Sequence, residues 1–144
     1  MYLLDTNVVS ESRKATKTRT GSTKMDSRVE AWFRSVSGPN LYLSVVTILE
    51  LEIGCLQIER RDAAQGKVLR SWIQNHVLPA FSGRILAVDL SIALRCAALH
   101  VPNRCSDRDA LLAATALVHG MTVVTRNTVD FESTGVELLN PWKT

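Results

Sequence analysis

The sequence predicts an α/β protein with a mainly parallel central sheet. Short apolar runs of strand length, such as Tyr2–Leu4 and Met121–Thr125, alternate with longer stretches patterned like helices. Polar residues suited to turns and helix caps separate them. The first run stops abruptly at Asp5, and Thr6 and Asn7 follow at once, as where a strand opens into a helix. Ligands of open parallel sheets bind outside the carboxyl ends of the strands, so Asp5 stands where a functional edge is expected.

Tyr2–Leu4 is the first expected strand, with Thr6 or Asn7 available to start a helix. Residues 12–28 carry six Lys/Arg and no large aliphatic side chain except Met25. Such a segment is expected as a flexible basic loop or a frayed helix end; it is either a solvated linker or, through its Lys, Arg, Ser and Thr, a phosphate contact. A helix over Ser27–Val36 follows, then a turn at Gly38-Pro39-Asn40 and a strand over Leu41–Leu43. Ser44 is placed to cap a helix over Val45–Arg60. The next helix runs from Ala63 to Leu78 and is expected to stop before Pro79.

A strand is expected over Arg84–Val88, then a helix capped by Asp89 or Ser91 that ends near His100. Ser106 opens a helix over Asp107–His119 that Gly120 closes. Met121–Thr125 and Val136–Leu139 are the last two strands. The whole of 1–144 is read as one domain, without internal repeats.

Of the 144 residues, 46% are hydrophobic and 22% charged, which suffices for a core without disulfide or metal staples. No apolar stretch has the length of a membrane span, and Asp5 interrupts any signal-peptide core, so the expected location is cytoplasmic with no membrane partner. Three cysteines, Cys55, Cys96 and Cys105, contain no CxxC pair and read as reduced thiols. His76, His100 and His119 are scattered singly, which argues against a zinc site. Net charge is +3, from 17 basic and 14 acidic residues. If Asp5, Glu50 and Asp109 share a pocket, the remaining 11 acids face those 17 bases, a balance suited to a polyanion with a metal at the centre.

Each acid also has a structural reading. Asp5 is either a helix cap or a ligand. Glu50 shares its helix face with Val46, Thr47, Ile53 and Gly54, a surface on which a carboxylate needs a partner or a cation. Gly54 leaves room there for close approach. Glu52 has equally apolar neighbours, and periodicity does not choose between the two. Asp109 follows Ser106 at capping-box spacing, while the small residues after it let the helix lie against the sheet. Asp107, two residues earlier, is expected on another side of that helix. Thr125, Arg126 and Asn127 follow a strand, with Asp130 beyond. Asn127 and Asp130 are either turn residues or contributors to a metal shell. Carboxylates at strand ends and on the following helices are the oxygen ligands that Mg²⁺ or Mn²⁺ prefers.

With these residues in view, the chain resembles the PIN-domain ribonucleases, and within them the VapC/FitB-like toxins of bacterial toxin–antitoxin pairs. The match is carried by LLDTNVVSE at 3–11, SVVTILELEIG at 44–54, DALLAATALVHGMTVVTRNTVDF at 109–131 and NPW at 140–142, with WIQNHVLPAFSGRILAVD at 72–89 like the FitB branch. The resemblance implies a three-layer fold with about four or five parallel strands between helices. It also implies a homodimer, a VapB-like antitoxin that covers the active site, and an endoribonuclease dependent on Mg²⁺ or Mn²⁺.

By position, the resemblance assigns Asp5, Glu50 rather than Glu52, Asp109 and Asn127 as the catalytic set, with Asp5, Asp109 and Glu50 as metal ligands. Thr6, Asn7, Thr125, Arg126, Asp107 and Asp130 become supporting or substrate-contacting residues. Asn127 departs from the acid common in the family, which leaves the second of two metals open. For Arg126 an exposed strand-end role is favoured.

Two rivals differ in kind. A haloacid-dehalogenase-type phosphotransferase needs a second Asp where Asn7 stands. A catalytically inactive RNA-binding or antitoxin-sequestering module has Asn127 in its favour, and Asp5→Asn separates it from an enzyme.

Overall fold

The computed structural model describes residues 1–16 and 24–144. Five strands form one parallel sheet: β1 (Tyr2–Leu4), β2 (Leu41–Ser44), β3 (Ile85–Leu86), β4 (Thr122–Val124) and β5 (Leu138–Leu139), in the order β3-β2-β1-β4-β5. The central strand aligns Tyr2 with both Leu41 and Thr122. Successive strand residues face opposite sides. Leu4 therefore enters a core with Val8, Trp32, Leu51 and Trp72, while Leu3 enters another with Leu112, Ala113 and Phe131. Burial on both faces is why a parallel strand is apolar throughout.

Among the described residues, seven helices flank the sheet: α1 (Thr6–Ser12), α2 (Ser27–Ser35), α3 (Val45–Arg61), α4 (Ala63–Trp72), α5 (Leu78–Ala80), α6 (Leu90–Leu99) and α7 (Asp107–His119). The predicted α/β architecture is therefore present, with every strand pair parallel. Ser44 caps α3 by accepting a hydrogen bond from Val46 N. Ala110, Ala113, Ala114 and Ala116 of α7 are fully buried, so short side chains let its backbone approach the sheet. Gly120 ends α7 in the left-handed conformation (φ 68°), which glycine adopts without steric cost. The α3–α4 hairpin closes on Gly66, where a Cβ would lie 2.5 Å from Glu59 Cα.

Several elements differ from expectation. At the start of residues 12–28 the frayed helix end is the reading that holds, since Ser12 ends α1 and Arg13–Thr16 form a 3₁₀ turn, and Ser27 starts α2 as expected. Residues 17–23 of that segment lie outside the described residues. The helix expected to end before Pro79 leaves α-geometry earlier, in a π-turn over Ile73–Val77, and Pro79 then sits inside α5. The backbone stays helical through Val77 and Leu78, and the π-turn, in which Leu78 N bonds back to Ile73 O, shifts the ladder ahead of a proline that has no N–H to give it. The strand expected over Arg84–Val88 shortens to two residues; the Arg84 carbonyl still accepts from Leu43 N, and its guanidinium donates to the carbonyls of Gly38, Leu41 and Ala80. Asp89 caps α6 through Ile92 N, whereas the Ser106 side chain makes no capping bond. A 3₁₀ run over Thr128–Thr134 was not anticipated.

Candidate active site

Asp5 stands at the carboxyl end of the central strand, 8% exposed. Cap and site residue are not alternatives for it. Its Oδ1 accepts from Thr6 N at 2.7 Å, which caps α1, while Oδ2 accepts from Thr125 Oγ1 at 2.7 Å and Asn7 Nδ2 at 3.3 Å. Thr6 and Asn7, expected as available caps, are used otherwise. Asn7 Oδ1 accepts from Arg126 N at 3.2 Å, tying α1 to the end of β4. Thr6 Oγ1 donates to Glu50 Oε1 at 3.0 Å, tying α1 to α3.

Glu50 and Glu52 separate sharply. Glu50 points to Thr6 and Arg108, with Oε2 3.7 Å from Arg108 Nη1. Glu52 points to Arg70 of α4, which also holds Glu59 at 2.9 Å. Gly54 permits no close approach, since a Cβ there would meet nothing within 4 Å. It instead lines an open cavity of about 250 Å³ beside Glu50, with Thr6, Ser10, Arg13 and Trp72.

Asp109, in the first turn of α7, completes an electrostatic cluster. Burial, then the charges of Asp5, Asp130 and Glu50, push its carboxyl up to about 6. Asp5 is also raised, mainly by burial and further by Asp130, against the lowering effect of Thr125, Thr6 and Asn7. Mutual repulsion of this kind arises when carboxylates converge without enough counter-charge. Asp130 thus belongs to the cluster although exposed, whereas Asp107 turns away to His100 at 3.5 Å and Arg104 at 3.7 Å.

Asn127 is exposed, and its backbone N donates to Thr125 Oγ1 at 3.0 Å. Arg126 stacks over Trp142 with its guanidinium carbon 5.2 Å from the ring centroid. Sequence reasoning missed Arg108. Its only signal was adjacency to Asp109, and its meeting with Glu50 joins two helices far apart in the chain. Among the described residues, no three His, Cys, Asp or Glu side chains already close on one point as a metal cage.

An all-parallel α/β sheet with acids gathered at the carboxyl end of its central strand defines the class. The PIN domain model matches residues 2–136, and the chain belongs to that family. It is 36% identical over 151 residues to VapC ribonuclease Y4jK of Sinorhizobium fredii, covering 99% of each chain. It is 34% identical over 147 residues to Toxin FitB of Neisseria gonorrhoeae, again covering 99% of both. The crystal structure of FitAcB from Neisseria gonorrhoeae superposes with a TM-score of 0.87 at 33% identity, over 100% of each chain. FitAB bound to the IR36 DNA fragment gives 0.85 at 33% identity, covering 99% of this chain and 96% of that one.

Proposed function

We propose that this chain is the toxin of a toxin–antitoxin pair, a homodimeric endoribonuclease dependent on Mg²⁺ or Mn²⁺ and neutralised by a VapB-like antitoxin. The observation that carries the reading is the gathering of Asp5, Glu50, Asp109 and Asp130 at the sheet's carboxyl edge, where burial first and then the other three charges raise Asp109 to about 6. Full-length likeness to a VapC ribonuclease and to a FitB toxin supports the activity, and the complexes among the solved structures support the antitoxin. Structured single-stranded RNA, tRNA included, is the proposed substrate class.

The donor set fits a hard divalent cation. Every donor is oxygen, and the raised Asp5 and Asp109 carboxyls mark negative charge in want of a counter-ion. Mg²⁺ characteristically takes one or two carboxylates and keeps several waters, so a closed protein cage is not required. Asp5 and Asp109 would hold the cation, with Glu50 completing the shell. Such a cation supplies charge neutralisation at the phosphate and a lowered pKa for an attacking water.

The remaining chemistry belongs to the chain. Thr125, Thr6 N and Asn7 fix both oxygens of Asp5, so its orientation is set before substrate arrives. Thr6 holds one oxygen of Glu50, leaving the other either to complete the cation's shell or to orient the attacking water. Asn127 supplies a neutral amide at the cluster's edge. Arg126 is spoken for by Trp142 and acts structurally.

The test is cleavage of total bacterial RNA by antitoxin-free protein, with Mg²⁺ or Mn²⁺ against EDTA, and wild type against Asp5→Asn. Discrete fragments requiring both metal and Asp5 are expected. No cleavage by folded wild-type protein with either metal sinks the reading.

A further inference from the structure

We propose that Arg108 is a catalytic residue of this site: its guanidinium provides, beside Glu50, the positive charge that a second divalent cation would otherwise bring, so the chain works with one bound cation and one arginine. The inference rests on the metal-dependent nuclease reading.

Arg108 precedes Asp109 on the first turn of α7; its guanidinium reaches Glu50 of α3, and the Glu50 charge is in turn felt by Asp109. Its Nη1 lies 3.7 Å from Glu50 Oε2, while Glu50 Oε1 is engaged by Thr6. At that separation the contact is electrostatic and longer than a hydrogen bond. Among the described residues the Arg108 guanidinium makes no hydrogen bond, so its fork of N–H donors is open to a phosphate oxygen. Asp5, Glu50, Asp109 and Asp130 form the cluster, and among the described residues only Arg108 forms an ion pair with any of them.

Asn127 points the same way. It meets the cluster through its backbone N, which donates to Thr125 Oγ1, and its side chain adds no negative charge. That balance suits one divalent ion.

In the reaction, a bond forms between water oxygen and phosphorus, and the P–O ester bond breaks. The water proton passes to a carboxylate of the cluster, and the departing oxygen takes one from solvent. Arg108 donates hydrogen bonds to a non-bridging phosphate oxygen and transfers no proton. The competing explanation is a solvated surface pair, since Arg108 is 49% and Glu50 30% exposed, and such pairs contribute little. A pair of that kind changes neither metal binding nor cleavage.

The experiment titrates Mn²⁺ into antitoxin-free wild type, Arg108→Ala, Arg108→Gln and Arg108→Lys by calorimetry, then measures single-turnover RNA cleavage at saturating Mn²⁺. Wild type is expected to bind one Mn²⁺ per chain. Arg108→Ala should bind Mn²⁺ at least about threefold more tightly, or take a second ion, because Glu50 loses its counter-charge. It should nevertheless cleave about 30-fold more slowly, in line with loss of one transition-state donor at a partly exposed site. Arg108→Lys, which keeps the charge, should recover part of the rate.

Two Mn²⁺ in wild type, unchanged Mn²⁺ affinity in Arg108→Ala, or wild-type cleavage by that variant would each overturn the inference. Circular dichroism checks folding, and Arg108→Gln, which keeps side-chain length, decides the matter if the alanine variant unfolds. Absence of metal-dependent cleavage in wild type sinks the nuclease reading itself. Wild-type cleavage that Arg108→Ala leaves intact sinks only this inference.

Discussion

Glu50 and Glu52 leave the same helix two residues apart and enter opposite electrostatic surroundings. Glu52 and Glu59 share Arg70 across the α3–α4 hairpin, and those bonds hold Glu59 below the usual carboxylate range. There the chain neutralises its own charge, and the result is a brace between helices. Around Glu50, among the described residues, Arg108 alone forms an ion pair, and burial together with neighbouring acids holds Asp5 and Asp109 above their ordinary values. Charges compensated within the chain serve the fold. Those left uncompensated are set aside for something that binds.

The strongest way to break this contrast is at Asp5. Asp5→Asn should reduce metal-dependent RNA cleavage by about 10³-fold, the upper end for losing one group at a reacting centre. Its stability should hold, because Asn also caps helices well, and thermal melts beside the cleavage assay check both.

Next in size is the paired exchange on α3. Glu50→Gln should slow cleavage about 100-fold without lowering the melting temperature. Glu52→Gln should leave cleavage within about twofold and lower the melting temperature by about 1–3 °C, as expected of a partly exposed ion pair. Equal loss of cleavage in both variants would erase the distinction drawn here.

A third prediction concerns pH. The folded-state carboxyl of Asp109 lies at about 6, above its unfolded value of 3.8. Between those values the native protein binds more protons than the unfolded chain, so stability falls as pH rises through the window. Asp5 shifts in the same direction. Metal-free protein should therefore melt at a higher temperature at pH 5 than at pH 7, and Mn²⁺ should remove most of the difference. Asp109→Asn should stabilise the metal-free protein at pH 7 by about 1 kcal/mol, discounted for solvent screening, and flatten the pH dependence. Melts from pH 5 to 7.5, with and without Mn²⁺, read all three. At sub-saturating Mn²⁺, cleavage should fall as pH drops below about 6, because protons then compete with the cation for Asp109.

The smallest expected effect is at the edge of the cluster. Asn127→Asp adds one exposed carboxylate and should tighten Mn²⁺ binding by about threefold, through a charge largely screened by water. Calorimetry checks it, and weaker binding would remove Asn127 from the surroundings of the cation.

Local pattern and capping were enough to mark the α/β class, the central strand at Tyr2–Leu4, the start of α3 at Ser44 and the end of α7 at Gly120. Asp5 was legible as an acid at a strand end for the same reason. Burial of α7 against the sheet was legible in its run of alanines. Local pattern could not separate Glu50 from Glu52, since both have apolar neighbours one turn away, and only the likeness to a family chose between them. Tertiary structure placed Arg70 beside one and Thr6 with Arg108 beside the other, by packing helices remote in sequence. It likewise sent Asp107 to His100 and drew Asp130 into the field of Asp109. The π-turn before Pro79 and the carbonyls gathered by Arg84 also lay beyond local reading. Capping and periodicity act over a few residues, whereas the sign and number of charges around a carboxylate depend on which surfaces the folded chain brings together.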